Sequence, residues 1–447
     1  MIKLKELINF LDAKYFGNFD FEPKGVCVDS RKIKEGDLFF ALKGERENGE
    51  KYLEDAFKNG AVAAVVSNSC LFNKRDRLIY VDDVSKALKI AARKYMNKVN
   101  PITVGVTGSV GKTTVKEFMY EIFSYKNNAM KTAGNLNSEV GISMSILEMD
   151  ENVEYAVIEH GIDEIGEMIR EVEISNLNHA IITLIGSSHL EIFGSRDVIF
   201  NEKTAIAINF KKDSNLVVNG TDDYLGKMKS NKFNIVKVGE SNGLDYKIDS
   251  LKIENSKTYF TLKNEVNSYD FVLNLCGYHY AYDAAYAIVM AFKLGFSYKD
   301  IYMSLLNVKQ NKSRFEIKKK GDIIIIDDAY NSSFESLMLS CKSAFEMKAS
   351  RYIGVFGDIL QIGKFPQESH KNIGKKISER YNFNKVYFYG NMMKYAYDEY
   401  CGEKEYFSSF NELINSLNKY IKDEDLVLIK ASFSIGLYRL ADSILED

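Results

Sequence analysis

The 447-residue chain is 46% hydrophobic and 27% charged, which excludes a disordered or collagen-like polymer and, at about 150 residues to a domain, predicts three domains rather than one core. Its 59 Lys and Arg against 62 Asp and Glu leave a net charge of −3, so no global positive field draws in nucleic acid or an anionic membrane, and an anionic ligand has to be gripped locally. Cys27, Cys70, Cys276, Cys341 and Cys401 are widely spaced and odd in number; they fit neither a disulfide framework nor a CxxC metal site and point to the reducing cytoplasm.

Leu4, Leu7, Ile8 and Leu11 recur at helical spacing among Lys and Glu, which predicts an amphipathic first helix rather than a secretory signal. No run approaches the roughly 20 apolar residues of a membrane span, so a soluble protein is expected. Across residues 25–83 the short apolar runs GVCVDS, DLFFALKG, AVAAVVS and LIYVDD surround a helical stretch near 53–59, and a helix over Val84–Val99 follows. Residues 1–99 thus read as a first α/β domain. Pro101 opens ITVGVTGSVGKTT, after which YAVIEHG, HAIITLIG and NLVVNG alternate with helical segments. Continuous apolar strands between helices predict a parallel sheet covered on both faces. From 245 to 275 the texture turns to alternation, YKIDSLKI, KTYFTLK and YDFVLNL, predicting an antiparallel sheet that closes the second domain, 100–312, before a helix over 281–294. Beyond Arg314 the pattern restarts with DIIIIDDAYN, RYIGVFGD, NKVYFYGN and LVLIKAS, a Rossmann-like domain over 313–447. The fold class is α/β in three domains, with a central mononucleotide-binding domain of parallel plus antiparallel sheet.

Gly108-Ser109-Val110-Gly111-Lys112-Thr113-Thr114 lies between an apolar strand and a helix-compatible run. Glycines let backbone N–H groups curl around phosphate oxygens, and the helix N-terminus adds a favourable dipole. Lys112 can reach the β and γ phosphates, while the Thr113 hydroxyl suits Mg²⁺. The strict GxxxxGK[ST] spacing is not met, because its first position is Val106. The plainer reading is a glycine turn beside a surface lysine. A phosphate loop by itself says only that nucleotide binds.

Four segments resemble the Mur ligases, the ATP-dependent amide ligases of bacterial cell-wall precursor synthesis: TGSVGKTT, KTAGNLNSEVGI, VIEHG, and SSHLEIFGS followed by NEKTAI. The resemblance implies ATP and two Mg²⁺ ions, with Thr113 and Glu159 as metal ligands, His189 as a ligand of the second ion, and Lys203 as the lysine the family carbamylates. VDSRKIKEGDLFFALKGERENG looks like the family's uridine-nucleotide-binding domain, which would put Ser30, Arg31, Lys43 and Gly44 near a UDP group. DDAYNSS resembles the segment of the branch that adds the terminal dipeptide. The implied partners are a UDP-linked muramoyl peptide and a dipeptide or amino-acid amine, with a monomeric enzyme expected. Departures accompany the matches. The family's His-Asn is His279-Tyr280, and a later asparagine of that helix is Asp283; both bear on adenine contact. Asn-Pro after DDAYN is Ser333-Phe334, the Arg of a KGSRS-like segment is Phe433, its glycine is Ala431, and Leu184 replaces an asparagine. A phenylalanine cannot make an arginine's bidentate carboxylate contacts.

Amide formation from a carboxylate and an amine needs an activated leaving group. Phosphoryl transfer from ATP to the carboxylate, followed by amine attack, supplies one, and its requirement is positioning plus compensating positive charge. Lys112, Lys203, His189 and Arg314 are the candidate catalytic residues on this reading. Nucleotide contacts are expected from the phosphate loop, from His279 and Asp283, and from Asp328, Tyr330 and Asn331 at a strand's carboxyl end. Plainer alternatives stand beside each. Glu159 also reads as a strand-end carboxylate in solvent, His189 as a satisfied core histidine, Lys203 as any helix-face lysine, Arg314 as half of an interdomain ion pair, and Tyr280 and Tyr282 as packing. Two other functions stay open: a divergent ligase joining another amine to another carboxylate, and a nucleotide-binding protein that does not ligate.

Overall fold

Each third of the chain contributes its own sheet. The structure, a computed structural model, describes residues 1–18, 21–44, 47–187, 190–310, 312–363 and 365–446. The N-terminal third runs α1 (Leu4–Leu11), β1 (Lys14–Tyr15), β2 (Gly25–Cys27), β3 (Asp37–Phe40), α2 (Leu53–Lys58), β4 (Ala63–Ser67), β5 (Leu78–Val81) and α3 (Val84–Val99). Its sheet has the order β1-β5-β4-β3-β2, parallel except where β1 meets β5. The Asp83 carboxylate caps α3 by accepting the Lys86 N–H, and Asn100, left-handed at φ 52°, ends it before Pro101. The inner face of α3, Leu88, Ala91, Ala92 and Tyr95, shares a core with Ile142, Leu147 and Ile158 of the next domain.

The central third comprises β6 (Ile102–Thr107), α4 (Lys112–Ser124), β7 (Ala129–Lys131), α5 (Glu139–Leu147), β8 (Tyr155–Glu159), α6 (Glu167–Ser175), β9 (His179–Ile182), α7 (Leu190–Phe193), α8 (Arg196–Thr204), β10 (Asn215–Asn219), β11 (Asn234–Gly239), β12 (Tyr246–Glu254), β13 (Lys257–Lys263), β14 (Ser268–Leu273), α9 (Tyr278–Lys293) and α10 (Tyr298–Leu305). The order is β14-β13-β12-β11-β10-β9-β6-β8-β7. The chain passes from β8 on one side of β6 to β9 on the other, so the carboxyl end of β6 opens on a switch point, where open α/β sheets take ligands. The alternating strands β12, β13 and β14 do not form a separate sheet. β12 pairs in parallel with β11, and the antiparallel strands continue the same sheet.

The last third holds β15 (Glu316–Lys320), β16 (Ile323–Asp328), α11 (Phe334–Phe345), β17 (Arg351–Gly357), α12 (Pro366–Arg380), β18 (Lys385–Tyr389), α13 (Met393–Glu399), β19 (Lys404–Phe407), α14 (Phe410–Tyr420), β20 (Asp425–Lys430) and α15 (Tyr438–Glu446), with order β15-β16-β20-β17-β18-β19. The four apolar runs are β16, β17, β18 and β20. The edge strands β15, with three lysines, and β19 lack an apolar run because a half-exposed edge does not need one. Helix α9 is buried nearly all round, which seats it between α4 and the C-terminal domain. Among the described residues no helix is long and apolar enough to cross a membrane.

Candidate active site

The carboxyl ends of β6, β8, β9 and β10 face the start of the C-terminal domain across a cavity of about 510 Å³. On its floor Gly111 is left-handed at φ 88° immediately before α4, and a Cβ there would lie 2.4 Å from an Asp283 oxygen, so this turn requires glycine. The Lys112 ammonium donates to the Gly108 carbonyl at 2.9 Å. Burial pushes its pKa down, against the opposing pull of the Glu159 charge. Thr113 accepts a hydrogen bond from Arg314 Nη2 at 3.2 Å. Asp283 places its carboxyl against Gly111 and Thr114, and burial raises its pKa well above the usual carboxylate range.

Glu159 ends β8 at 2% exposure, which overturns its reading as a solvent carboxylate. One oxygen accepts from Asn137 Nδ2 at 2.9 Å; the other lies 3.3 Å from the Lys116 ammonium and makes no hydrogen bond. Lys116 is itself fully buried and donates to the Gly134 carbonyl at 2.6 Å. Lys203, in the last turn of α8, is buried facing the cavity rather than set on a solvent face. Its ammonium makes no hydrogen bond or ion pair with a described residue. Burial, reinforced by the nearby Lys112 charge, holds its pKa well below the usual lysine range. His189 lies outside the described residues.

In the first turn of α9 the His279 ring sits 4.0 Å from the Tyr280 ring and 5.0 Å from Phe315, and burial lowers its pKa to about 4. Tyr280 is more than packing: its hydroxyl donates to the Arg314 carbonyl at 2.6 Å and accepts from Gln310 Nε2 at 2.5 Å, pinning the segment that joins the two domains. Tyr282 lines the cavity with Glu240, and burial together with the Glu240 charge pushes its pKa up.

The opposite wall comes from the C-terminal domain. Among the described residues the Arg314 guanidinium forms no ion pair; it lies 4.1 Å over the Tyr330 ring and reaches across to Thr113. Asp328 lines the cavity with both oxygens already used. Oδ1 accepts the Phe315 N–H at 3.0 Å, and Oδ2 accepts from Ser340 Oγ at 2.5 Å and Lys430 Nζ at 2.7 Å. Lys430 also donates to the Asn331 carbonyl at 3.0 Å. Asn331 and Tyr330 line the cavity beside them.

Ser30, Arg31, Lys43 and Gly44 do not line this cavity. They follow the carboxyl ends of the neighbouring parallel strands β2 and β3. Arg31 is exposed and forks onto its neighbour Asp29, with two contacts of 2.9 Å. Sequence reasoning missed Asn219, Glu240, Glu335 and Lys430, which line the cavity, and Lys116, which backs Glu159. Of these only Asn219 and Lys430, each at the end of an apolar strand, carried a signal.

Among the described residues no cluster of three or more His, Cys, Asp or Glu side chains is assembled to hold a metal. Mg²⁺ does not require one, because it is commonly held by one or two protein oxygens plus substrate phosphates. Glu159, which lines the cavity together with the phosphate loop and has one oxygen without a hydrogen bond, fits that demand.

Family models match in chain order: the Mur ligase family, catalytic domain, over 22–96; the Mur ligase middle domain over 106–291; and the Mur ligase, glutamate ligase domain, over 313–433. The chain belongs to the Mur ligase family of ATP-dependent, amide-forming enzymes. It is 32% identical, over 94% of its own length and 93% of the other's, to the UDP-N-acetylmuramoyl-tripeptide–D-alanyl-D-alanine ligase of Bacillus subtilis. Among solved structures it is similar to MurF from Acinetobacter baumannii, with a TM-score of 0.89, 25% identity, and coverage of 100% of this chain and 99% of that one. MurF from Thermotoga maritima in complex with ADP gives a TM-score of 0.85 and 25% identity over 95% and 97% of the two chains.

Proposed function

We infer that this chain is the ligase that joins D-alanyl-D-alanine to UDP-N-acetylmuramoyl-tripeptide in peptidoglycan precursor synthesis. The observation that carries the reading is the convergence of Lys112, Glu159, Lys203 and Arg314 on one cavity, in a chain similar from end to end to ligases of that name. In the reaction an oxygen of the tripeptide carboxylate attacks the γ-phosphorus and ADP departs. The dipeptide nitrogen then attacks the acyl carbon, phosphate departs and the amine loses a proton. Lys112 and Arg314 approach the phosphate site from opposite domains, so charge compensation is complete only with both domains in place.

Thr113 and Glu159 would hold Mg²⁺, with His189 as a ligand of a second ion; the metal supplies charge neutralisation and orientation of phosphate oxygens. Lys203 has the burial that favours a neutral amine, the form that combines with CO₂, which supports its carbamylation. His279, Asp283, Tyr330 and Asn331 would flank the nucleotide, and Asp328 would frame it. Ser30, Arg31, Lys43 and Gly44 would contact the UDP group. Domain limits of 1–99, 100–312 and 313–447, a monomeric state and a cytoplasmic location belong to the same reading; five free thiols support the location.

Phe433 favours a second reading. It stands where the family has an arginine, is 55% exposed, and stacks on Tyr438 at 5.0 Å and 10°. Its face suits an amine whose nearby group is uncharged. Mass spectrometry of products from ATP, Mg²⁺, UDP-N-acetylmuramoyl-tripeptide and a panel of amines tests both. The pentapeptide product with D-alanyl-D-alanine upholds the first reading, and a robust product with another amine alone transfers the assignment to a divergent ligase. ADP release that does not depend on acceptor or amine, with no amide product from any amine, refutes ligation.

A further inference from the structure

The loop between β9 and α7 is held from several directions. Ser109 of the phosphate loop donates its backbone N–H to the Leu184 carbonyl at 2.8 Å, and its hydroxyl accepts the Gly186 N–H at 2.9 Å. Asp222 accepts the Ile185 N–H at 2.9 Å, and Arg196 donates to the Ile185 carbonyl at 3.1 and 2.7 Å. All of these holders belong to the central domain. Glu335 does not. From the first turn of α11 its carboxylate accepts the Ser187 N–H at 3.0 Å with one oxygen and the Ser187 hydroxyl at 3.1 Å with the other. Gly186 permits the approach, since a Cβ there would stand 3.1 Å from the Glu335 carboxyl carbon. Glu335 and Ser109 both line the cavity.

The geometry points to Glu335 as a positioning residue that makes the shape of the 183–187 loop depend on the seating of the C-terminal domain. Both bonds are charge-assisted and end on one residue, so a small withdrawal of α11 breaks them together. At Ser187 the central domain supplies, among the described residues, only a long bond from the Leu190 N–H to the Ser187 carbonyl at 3.4 Å, and the Ser187 N–H and hydroxyl both go to Glu335. Because Ser109 is bonded to the same loop, Glu335 also steadies one wall of the phosphate loop. Domain seating and the alignment of phosphate-binding groups thereby become one event, and misalignment of such groups by about 1 Å is costly in rate. Which reaction is slowed rests on the function proposed above; the clasp itself does not.

The test compares the full-length protein with Glu335→Ala, Glu335→Gln, Ser187→Ala and the Glu335→Ala/Ser187→Ala double variant. The readouts are kcat, KM for ATP, ADP binding by calorimetry, thermal unfolding, and hydrogen exchange over 183–187. Glu335→Ala should lower kcat about 10- to 100-fold, leave ADP affinity and unfolding temperature unchanged, and speed exchange over 183–187. Ser187→Ala, which keeps the backbone bond, should cost about threefold, and the double variant should be no worse than Glu335→Ala alone. Glu335→Gln should retain most activity, since its carbonyl accepts the N–H and its amide donates to the hydroxyl oxygen. A wild-type rate in Glu335→Ala, multiplying losses in the double variant, or unchanged exchange over 183–187 overturns the proposal. If Glu335→Ala does not fold, the Glu335→Gln and Ser187→Ala rates and exchange decide it in the same way. If the wild-type protein makes no amide, the proposed function fails, while the exchange measurements still decide the clasp.

Discussion

On the central wall of the cavity the charged side chains are short of partners, whereas on the C-terminal wall Asp328 and Lys430 satisfy one another. Lys112 has one carbonyl, Lys203 has no described partner, and one Glu159 oxygen has no hydrogen bond. Across the cavity Asp328 and Lys430 make a buried pair whose remaining valences go to Phe315, Ser340 and Asn331. Buried groups without partners cost stability and persist where a ligand completes them; a closed network instead shapes the fold around that ligand. The central wall should therefore fail in function when altered, and the Asp328–Lys430 network in stability.

Lys112→Ala is the sharpest break. Turnover of ATP in the presence of acceptor and amine should fall at least about 10³-fold, while the unfolding temperature holds or rises because a desolvated ammonium is gone. Normal ADP release from this variant removes the phosphate-loop assignment. Lys430→Met should do the reverse. It leaves the Asp328 carboxylate, only 14% exposed, without its cation, and breaking such a buried pair costs about 3–5 kcal/mol, read as a lowered urea midpoint with ADP still bound by whatever remains folded. An unchanged midpoint would mean the two walls do not differ in this way. Arg314→Ala falls between them: kcat should drop about 10²-fold with ADP affinity nearly intact. Arg314→Lys should not restore it, since a lysine lacks the planar fork that both covers Tyr330 and reaches Thr113.

The same contrast explains what could be read from the chain. The central wall is largely contiguous: the turn from Gly108 to Thr114 and the strand end at Glu159 each announce themselves as an apolar run followed by groups suited to phosphate or metal. The C-terminal wall is assembled from distance. Glu335 meets Ser187 across 148 residues and Arg314 meets Thr113 across 201, and no local pattern encodes either meeting. Asp328 was visible because it ends the run IIII, but the burial of its partner Lys430 was not, since a lysine after an apolar strand looks the same whether buried or exposed. The edge strand EIKKK was hidden for a related reason: an edge tolerates lysines that a central strand would not. Lys203 was legible only through family resemblance, and its burial, the property that matters chemically, left no mark on NEKTAI.

Behind the central wall lies a buried acid of another kind, and it predicts a pH dependence. Glu171 of α6 sits 3.0 Å from Nδ1 of His160, the residue after Glu159, with both side chains fully buried. Burial pushes the Glu171 pKa up from 4.5 to about 10 and the His160 pKa down from 6.5 to about 3. Both directions favour the uncharged forms, a carboxylic acid beside a neutral imidazole. Between 4.5 and about 10 the folded chain keeps a proton on Glu171 that the unfolded chain has lost, so this group makes stability fall as pH rises through that window. Between about 3 and 6.5 the unfolded chain holds a proton on histidine that folded His160 lacks, so that contribution falls as pH drops. The two slopes cancel where the windows overlap, from 4.5 to 6.5, and above it only the Glu171 slope remains, at most about 1.4 kcal/mol per pH unit. Glu171→Gln keeps a donor to Nδ1 and removes the titrating proton. Measured by urea unfolding, its stability relative to wild type should therefore climb from pH 6 to pH 8.5. An offset that is the same at both values would mean that Glu171 is already ionised in the fold, and that the central wall is backed by a charge rather than by a neutral acid.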